Sequence, residues 1–341
     1  MTKTYKPEFD KLHIHYPVQE RNKEAEWWYF DAALDNGDHF VVMYSVNDTR
    51  LYPRQPSVRV DLYEKDGTEH SLIKKYPEEK ASFSRKQCDV NYNDEQWCKD
   101  CGDHYEMKAF IDGYGAYLKF YAKVPSWQAG TDGCVFKNPQ TGEEKAWVVA
   151  QPMASVEGVL YKNDKEITVK GQGYHDHNWM NLNVGNELDH WHWGKVHTED
   201  ITIDYGILIP SIPGAKPAVT MLVEDAENLY TEPNDLHHQA GNITYELLDI
   251  ETEPELGFSF AHRFMIHVKT PDIKLDLEVN VDHIVMKSLC DDLPTGGESA
   301  YRFIGDEVLT VQKNTEKEKV YRTSSLHEIV FPHAPKEADA K

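Results

Sequence analysis

Short runs of alternating apolar and polar residues, each ended by turn-forming residues, recur along most of this chain. The clearest two, residues 27–34 and 39–46, are joined by Asp35-Asn36-Gly37-Asp38, and an Asn-Gly turn between such runs is a strong signal for a β-hairpin. Similar runs occupy residues 57–63, 105–111, 116–122, 201–209, 264–268 and 275–281. No long stretch repeats its apolar residues every 3.6 positions, so we expect little helix. The pattern predicts an all-β protein built from sandwiches or barrels.

The length of the chain favours two such β units. At 341 residues it exceeds the usual size of a single domain. Turn-forming residues concentrate at 181–186, so we predict domains at 1–185 and 186–333. Residues 334–341 are polar, and we expect a frayed tail there.

The charge balance restricts the kind of partner. Asp and Glu outnumber Lys and Arg by 58 to 36, a net charge of −22, which repels nucleic acids and anionic membranes. We therefore expect a neutral, cationic or apolar partner, and no nucleic acid. No apolar run approaches the ~18 residues of a membrane helix, so no membrane span is predicted. The N-terminal residues lack the apolar part of a secretory signal and the cysteines number five, which predicts a cytoplasmic protein with reduced thiols. The oligomeric state is left open.

The stretch Gly171–His197 (GQGYHDHNWMNLNVGNELDHWHWGKVH) is the most concentrated source of reactive side chains. If its two ends are strands, Tyr174, Asp176 and Asn178 share one face and His175, His177 and Trp179 share the other. Barrel strands present one of these faces to the interior, and that interior could consist of Tyr, Asp, Asn and aromatic rings.

A zinc site is one interpretation of these histidines. His175 and His177 would put two imidazoles on one face, and His190 and His192 could add more. The more specific His-Glu-x-x-His signature is absent, so no metal is predicted. Cys98-x-x-Cys101 lacks a second pair, although Cys88 and His104 are near in sequence, and ordinary reduced cysteines are favoured.

Glu26-Trp27-Trp28-Tyr29-Phe30 places a carboxylate at the start of an aromatic strand. It is either a strand buried on both faces or an aromatic wall with an ionisable group at its rim. Such a wall suits a developing carbocation or a flat polyene, because aromatic faces attract positive charge. The sequence motifs that identify serine hydrolases, phosphate-binding loops and dinucleotide-binding folds are absent.

Three motifs in this order resemble the carotenoid 1,2-hydratase (hydroxyneurosporene synthase) family, together with lipocalin-like hydratases and the more distant lipocalin-like Diels–Alderases. They are residues 26–30, the stretch Gly-Tyr-His-Asp-His-Asn-Trp at 173–179, and Trp-His-Trp-Gly at 191–194. One departure is Trp179-Met180-Asn181, where the family pattern has a Gly soon after the Asn and often a Pro. The resemblance implies two lipocalin-like antiparallel β-barrel domains side by side and cofactor-free chemistry on a hydrophobic alkene.

The resemblance and the residue types together give the candidate site. The predicted catalytic residues are His175, Asp176, His177 and His192. The predicted substrate-binding residues are Glu26, Trp28, Tyr174, Asn178, Trp193, Asp204 and Tyr205. No cofactor is predicted.

The favoured function is a cofactor-independent acid–base enzyme, a hydratase-type lyase acting on a polyene, terpenoid or polyketide alkene. Burial would raise the pKa of Asp176 and make it an acid at neutral pH, with His175 or His177 handling water. Trp28, Tyr174 and Trp193 would line the pocket.

Two alternatives remain open. A cyclase or isomerase of the Diels–Alderase type would hold a polyene in a reactive conformation, with Tyr174, Asn178 and His192 as hydrogen-bond donors. A carrier of a hydrophobic ligand would need no catalysis.

Overall fold

The computed structural model describes residues 7–130, 132–182, 184–231, 242–289 and 298–333. The chain forms two compact units, Met1–Leu182 and Asn183–Lys341, which we call unit 1 and unit 2. The predicted tail at 334–341 lies outside the described residues.

Unit 1 is a single large antiparallel sheet with one short 3-10 turn at each of Pro7–Asp10 and Glu78–Lys80. Its described strands are β1 (Glu24–Leu34), β2 (His39–Ser45), β3 (Ser57–Tyr63), β4 (Glu69–Lys75), β5 (Ser82–Phe83), β6 (Asp89–Asn93), β7 (Gln96–Asp100), β8 (Tyr105–Ile111), β9 (Tyr114–Ala122), β10 (Trp127–Gln128), β11 (Cys134–Lys137), β12 (Glu144–Lys162) and β13 (Lys165–Asn181). The strand order is β4-β3-β2-β1-β13-β12-β9-β8-β7-β6-β5, and β10 and β11 also pair with β12.

The hairpin predicted around the Asn-Gly turn is confirmed as β1 and β2. Gly37 has φ +90°, a left-handed conformation that glycine adopts without steric cost. Alternate residues of β1, among them Trp28 and Phe30, point into the core of unit 1. The same core receives Leu12 and Ile14 from the segment before β1, so the N-terminal residues fill part of the space that the curved sheet encloses.

Unit 2 repeats the arrangement with fewer strands. A short helix, α1 (Val184–Glu187), precedes β14 (Leu188–His197), β15 (Thr202–Pro210), β16 (Ala218–Glu224), β17 (Ile243–Thr252), β18 (Ser259–Lys269), β19 (Ile273–Ser288), β20 (Ser299–Lys313) and β21 (Lys319–Phe331). The order is β16-β15-β14-β21-β20-β19-β18-β17. Its own apolar core includes Ile203, Val223 and Phe264.

The all-β fold class predicted from the alternating runs is confirmed. Across the part of the chain that the structure describes, α1 is the only α-helix, and it lies at the start of unit 2, next to the turn-forming residues. No described helix is both long enough and apolar enough to cross a membrane.

Candidate active site

Strand β1 pairs along its whole length with residues 171–181 of β13, and the two strands present two different faces. Trp28 lies opposite His177 in the register, and their rings stack with centroids 4.3 Å apart inside the core of unit 1. Tyr29 lies opposite Asp176 and points the other way. We call these the interior face and the outer face of unit 1. His175 is on the interior face, so it and Asp176 project to opposite sides of one strand.

The interior face holds a buried network of ion pairs. Asp10 Oδ2 lies 3.1 Å from His175 Nε2, and its Oδ1 lies 3.0 Å from His177 Nδ1. His177 Nε2 lies 2.8 Å from Glu26 Oε1, and Tyr105 donates its hydroxyl to Asp10 Oδ2 over 2.9 Å. The network ties the segment before β1 to the middle of β13.

Mutual attraction determines the protonation of this network. Burial alone would lower the pKa of His175, but the Asp10 carboxylate outweighs burial and raises it to about 10. Burial is likewise outweighed at His177, where hydrogen bonds with Asp10 and Glu26 raise the pKa to about 9. The pKa of Asp10 is held well below its usual value despite burial, chiefly by His175. Both imidazoles are therefore cationic at neutral pH and are neutralised in place.

Glu26 lies in this network and not at the rim of a pocket. Its side chain is fully buried, and it accepts the backbone N–H groups of His13 and Ile14 at 2.8 Å. Glu26 thus anchors the N-terminal segment, and the interpretation of residues 26–30 as a strand buried on both faces describes it best.

The outer face of unit 1 carries a second carboxyl with different partners. Asp176 Oδ2 accepts the indole N–H of Trp147 at 2.9 Å and the hydroxyl of Tyr174 at 2.8 Å. Its Oδ1 accepts the amide N–H of Asn178 at 3.2 Å. Asp176 is only 4% exposed, although it points away from the apolar core. Three neutral donors, the side chains of Trp147, Tyr174 and Asn178, therefore hold this carboxyl.

Burial raises the pKa of Asp176 to about 6, and the hydrogen bonds from Tyr174 and Trp147 oppose the rise because they favour the ionised form. Near neutral pH the group is close to its midpoint and can both donate and accept a proton.

Aromatic rings surround this carboxyl. Trp127 packs edge-on against Trp147 with centroids 5.4 Å apart, and Tyr29 packs edge-on against Tyr174 at 6.2 Å. Asp176 is therefore hydrogen-bonded to two aromatic side chains that pack against further rings, and aromatic rings can stabilise positive charge.

His192 lies in the interior of unit 2. It is fully buried, its ring meets Phe264 edge-on at 5.7 Å, and neither ring nitrogen has a hydrogen-bond partner among the described residues. Burial, helped by His190, lowers its pKa to about 3. His192 is therefore neutral at physiological pH.

Tyr205 shares that interior with a network that sequence reasoning missed. Its hydroxyl lies 2.8 Å from His327 Nδ1, and His327 Nε2 lies 2.7 Å from Glu307 Oε1. A Cβ at Gly194 would lie 2.1 Å from His327 Nδ1. The Gly of the Trp-His-Trp-Gly motif is therefore what makes room for the imidazole.

Trp193 and Asp204 lie on the outer face of unit 2. Trp193 is opposite Gly206 in the register, and Asp204 is opposite Lys195. Strand alternation puts both on the side away from Tyr205 and the apolar core.

The structure thus divides the predicted site residues among four places. They are the interior of unit 1 (Glu26, Trp28, His175, His177), its outer face (Tyr174, Asp176, Asn178), the interior of unit 2 (His192, Tyr205) and its outer face (Trp193, Asp204). Asp176 does not share a face with His175 or His177, because neighbouring residues of a strand point to opposite faces. For the same reason Trp28 and Tyr174 do not line one pocket.

Asp10 and Trp147 are the partners that the sequence did not reveal. Asp10 lies outside any strand, in a segment with no periodic pattern. Trp147 lies on β12, which forms a hairpin with β13, but it is 29 residues from Asp176 in sequence, too far for the local pattern to bring the two together. In the sequence, only the high density of aromatic residues around Asp176 pointed to such a partner.

The structure also separates the cysteines considered as a metal site. Cys88 and Cys98 are buried with their sulfurs 3.8 Å apart, whereas Cys101 is exposed. Ligand atoms of Asp10, Cys88 and His175 come within 4.8 Å of one another. Asp10 and His175 already form an ion pair there, and we assign both side chains to the ion-pair network of unit 1.

Comparisons with known proteins show a likeness of fold over the whole chain and of sequence over one short segment. No protein-family model matches it. A segment of 85 residues is 28% identical to hydroxyneurosporene dehydrogenase from Chlorobaculum tepidum. That match covers 23% of this chain and spans only 22% of the relative's length.

Solved structures match over nearly the full length. Kievitone hydratase from Nectria haematococca has a TM-score of 0.60 at 13% identity, covering 97% of this chain and 96% of that one. CghA in complex with Sch210972 has a TM-score of 0.67 at 13% identity, with coverage of 92% and 89%. An AttH protein from Nitrosomonas europaea has a TM-score of 0.64 at 12% identity, with coverage of 95% and 98%. These likenesses confirm the resemblance drawn from the motifs: the chain is similar to the carotenoid 1,2-hydratase-like proteins and has the lipocalin-like fold of kievitone hydratase and CghA.

Proposed function

We propose that this protein is an acid–base enzyme, a hydratase-type lyase acting on an alkene of a hydrophobic polyene, terpenoid or polyketide. The observation that carries the proposal is the position of Asp176, a buried carboxyl held by Trp147, Tyr174 and Asn178 in aromatic surroundings. The chemistry needs only side chains of the chain itself.

The proposed reaction begins with proton transfer from Asp176 to one alkene carbon. The positive charge that develops on the other carbon lies among the rings of Trp147, Tyr174 and their neighbours. Water adds to that carbon, and the proton that it loses returns to Asp176. The carboxyl is regenerated, and the net change is addition of one water molecule.

The hydrogen bonds favour Oδ1 of Asp176 as the atom that carries this proton. Oδ2 already accepts two hydrogen bonds, from Trp147 and Tyr174, whereas Oδ1 accepts only the longer one from Asn178. Protonation of Oδ1 thus disturbs the fewest contacts.

The names of two relatives support an alkene-bearing substrate. One similar protein is a kievitone hydratase and the other a hydroxyneurosporene dehydrogenase, and both named compounds serve as first test substrates.

The geometry supports the two alternative functions, a cyclase and a carrier, less well. A Diels–Alderase-type cyclase would use the hydroxyl of Tyr174 and the amide of Asn178 to bind substrate, but both groups donate to Asp176. A carrier would need free space inside a barrel, and the interior of unit 1 holds Leu12, Ile14 and Val18.

The test is turnover of kievitone and hydroxyneurosporene in water labelled with heavy oxygen, by wild type and by Asp176→Asn. We expect the label in the wild-type product and a loss of about 10²–10⁴-fold in the variant, the usual contribution of a general acid. Glu166→Gln, an exposed position on the same strand, is the matched control. Retention of the wild-type rate by Asp176→Asn would rule out its role as the acid, and an unlabelled cyclised product would favour the cyclase.

A further inference from the structure

Unit 2 contains a buried carboxyl that the proposed function does not use. Glu224 is the last residue of β16 and only 2% exposed. Its Oε1 has no hydrogen-bond partner among the described residues. A carboxyl buried in this way is costly when ionised, so it is expected to exist as the neutral acid.

The next residue, Asp225, has the opposite surroundings. Its Oδ2 accepts Lys313 Nζ at 2.8 Å and the hydroxyl of Tyr230 at 2.6 Å. Its Oδ1 accepts the backbone N–H groups of Glu227 at 2.9 Å and Asn228 at 2.8 Å. These contacts fix Asp225 as an ionised carboxylate.

Because their surroundings differ, the two carboxyl groups have pKa values shifted in opposite directions. Burial, together with the negative charge of Asp225, raises the pKa of Glu224 to about 9. The pKa of Asp225 is held well below its usual value, because its hydrogen bonds with Lys313 and Tyr230 outweigh burial. Adjacent carboxyls pushed apart in this way are a common feature of sites that need one acid and one permanent charge.

Glu224 does not fill the apolar core of unit 2. It lies opposite Thr202 in the register, on the outer face, whereas the core takes Ile203 and Val223. Asp204 lies on the same outer face, opposite Leu222, and is also buried. The outer face of unit 2 therefore carries buried carboxyl side chains that are not part of its apolar core.

We propose that Glu224 is the hydrogen-bond donor of a second binding site, on the outer face of β14–β16, for an uncharged carbonyl or hydroxyl oxygen of an apolar ligand. A neutral acid donates to such an oxygen, which would give Oε1 the hydrogen-bond partner that it lacks among the described residues. An anionic ligand is disfavoured by the negative charge of Asp225, and an amine would remove the proton. The site does not depend on Asp176 or on the proposed reaction.

The first test is the protonation state of Glu224 at neutral pH. We expect the infrared difference spectrum of wild type minus Glu224→Gln to show one protonated carboxyl band. Glu227→Gln, three residues away and exposed, should show none. Absence of the band in the Glu224 difference spectrum would overturn the proposal.

The second test locates a ligand oxygen with benzophenone, a neutral ketone that cross-links on illumination. With the full-length protein we expect cross-links in peptides covering β14–β16. These should fall about tenfold in Glu224→Leu, which corresponds to the loss of one hydrogen bond of about 1.4 kcal/mol. Glu227→Gln and Asp176→Asn should keep them, so this site and the proposed reaction can fail separately.

A titration of the wild type covers the case in which Glu224→Leu does not fold. Raising the pH through about 9 should remove the proton and the cross-links together. Cross-linking that is unchanged in Glu224→Leu, or in the wild type above that pH, would show that Glu224 does not bind the ketone.

Discussion

Asp176 shows at the residue scale how a pKa near neutrality is reached. Burial raises the pKa, and the donors Tyr174 and Trp147 limit the rise to about 6. Removal of a donor should therefore raise the pKa further, because the ionised form loses more stabilisation than the neutral form.

Trp147→Phe tests this balance. The variant keeps an aromatic ring but cannot donate to Asp176 Oδ2, and a hydrogen bond to a charged group is worth about 1.5–3 kcal/mol, or roughly 1–2 pH units. Since an acid is active while protonated, the alkaline limb of the pH–rate profile should move up by about that amount. Trp97→Phe, on β7, is the control. An unmoved limb in Trp147→Phe would mean that this bond does not determine the pKa.

At the element scale, close packing fixes β13 relative to its neighbours. A Cβ at Gly173 would lie 2.4 Å from Val156 Cγ2 and 2.5 Å from Phe120 Cε1. The strand therefore approaches these side chains more closely than any other residue allows, three positions before Asp176.

Gly173→Ala should destabilise unit 1 by about 1–3 kcal/mol through overpacking, and it should also reduce turnover by shifting Asp176. Gly142→Ala is the comparison, since Gly142 has φ +76° and nothing within 4 Å of the added Cβ. There we expect a cost of about 1 kcal/mol from backbone strain alone. Urea unfolding measures the free energy of unfolding of both variants. Equal losses would show that the sheet adjusts around the new methyl group.

Sequence alternation predicted this part of the molecule well, but only within single strands. It placed Asp176 and His175 on opposite faces, as observed, because the period of two is local. It could not reveal that Asp10 pairs with His175, or that β12 brings Trp147 to Asp176, because tertiary pairing determines both. Glu224 gave no signal at all, since what distinguishes it is a buried Oε1 atom with no hydrogen-bond partner in the described part of the chain.

At the scale of the whole molecule, several buried groups bind protons more tightly in the folded chain. The pKa of His175 and of His177 is raised from 6.5 to about 10 and about 9, and that of Glu224 is raised from 4.5 to about 9. The histidines stabilise the fold fully below their unfolded pKa of 6.5, and this contribution is lost as pH rises through 9 to 10. Glu224 acts in the same direction, because only the unfolded chain ionises it between 4.5 and 9.

The protein should therefore lose stability steadily as pH rises from 6.5 to about 9. The lowered pKa of His192 does not oppose this, because His192 is neutral in both the folded and unfolded states above 6.5. Each proton that is released on unfolding contributes about 1.4 kcal/mol per pH unit. Net charge −22 adds to the trend, since deprotonation increases repulsion.

Calorimetry in buffers of different ionisation enthalpy counts these protons directly. At a pH midway between 6.5 and 9, unfolding should release about two to three protons, and the melting temperature should fall as the pH rises. Replacing His177 by Gln should lower the count, because it removes one of the three groups, whereas the same change at exposed His283 should leave the count unchanged. A melting temperature that rises with pH, or unfolding without proton release, would mean that the buried imidazoles are neutral in the folded chain.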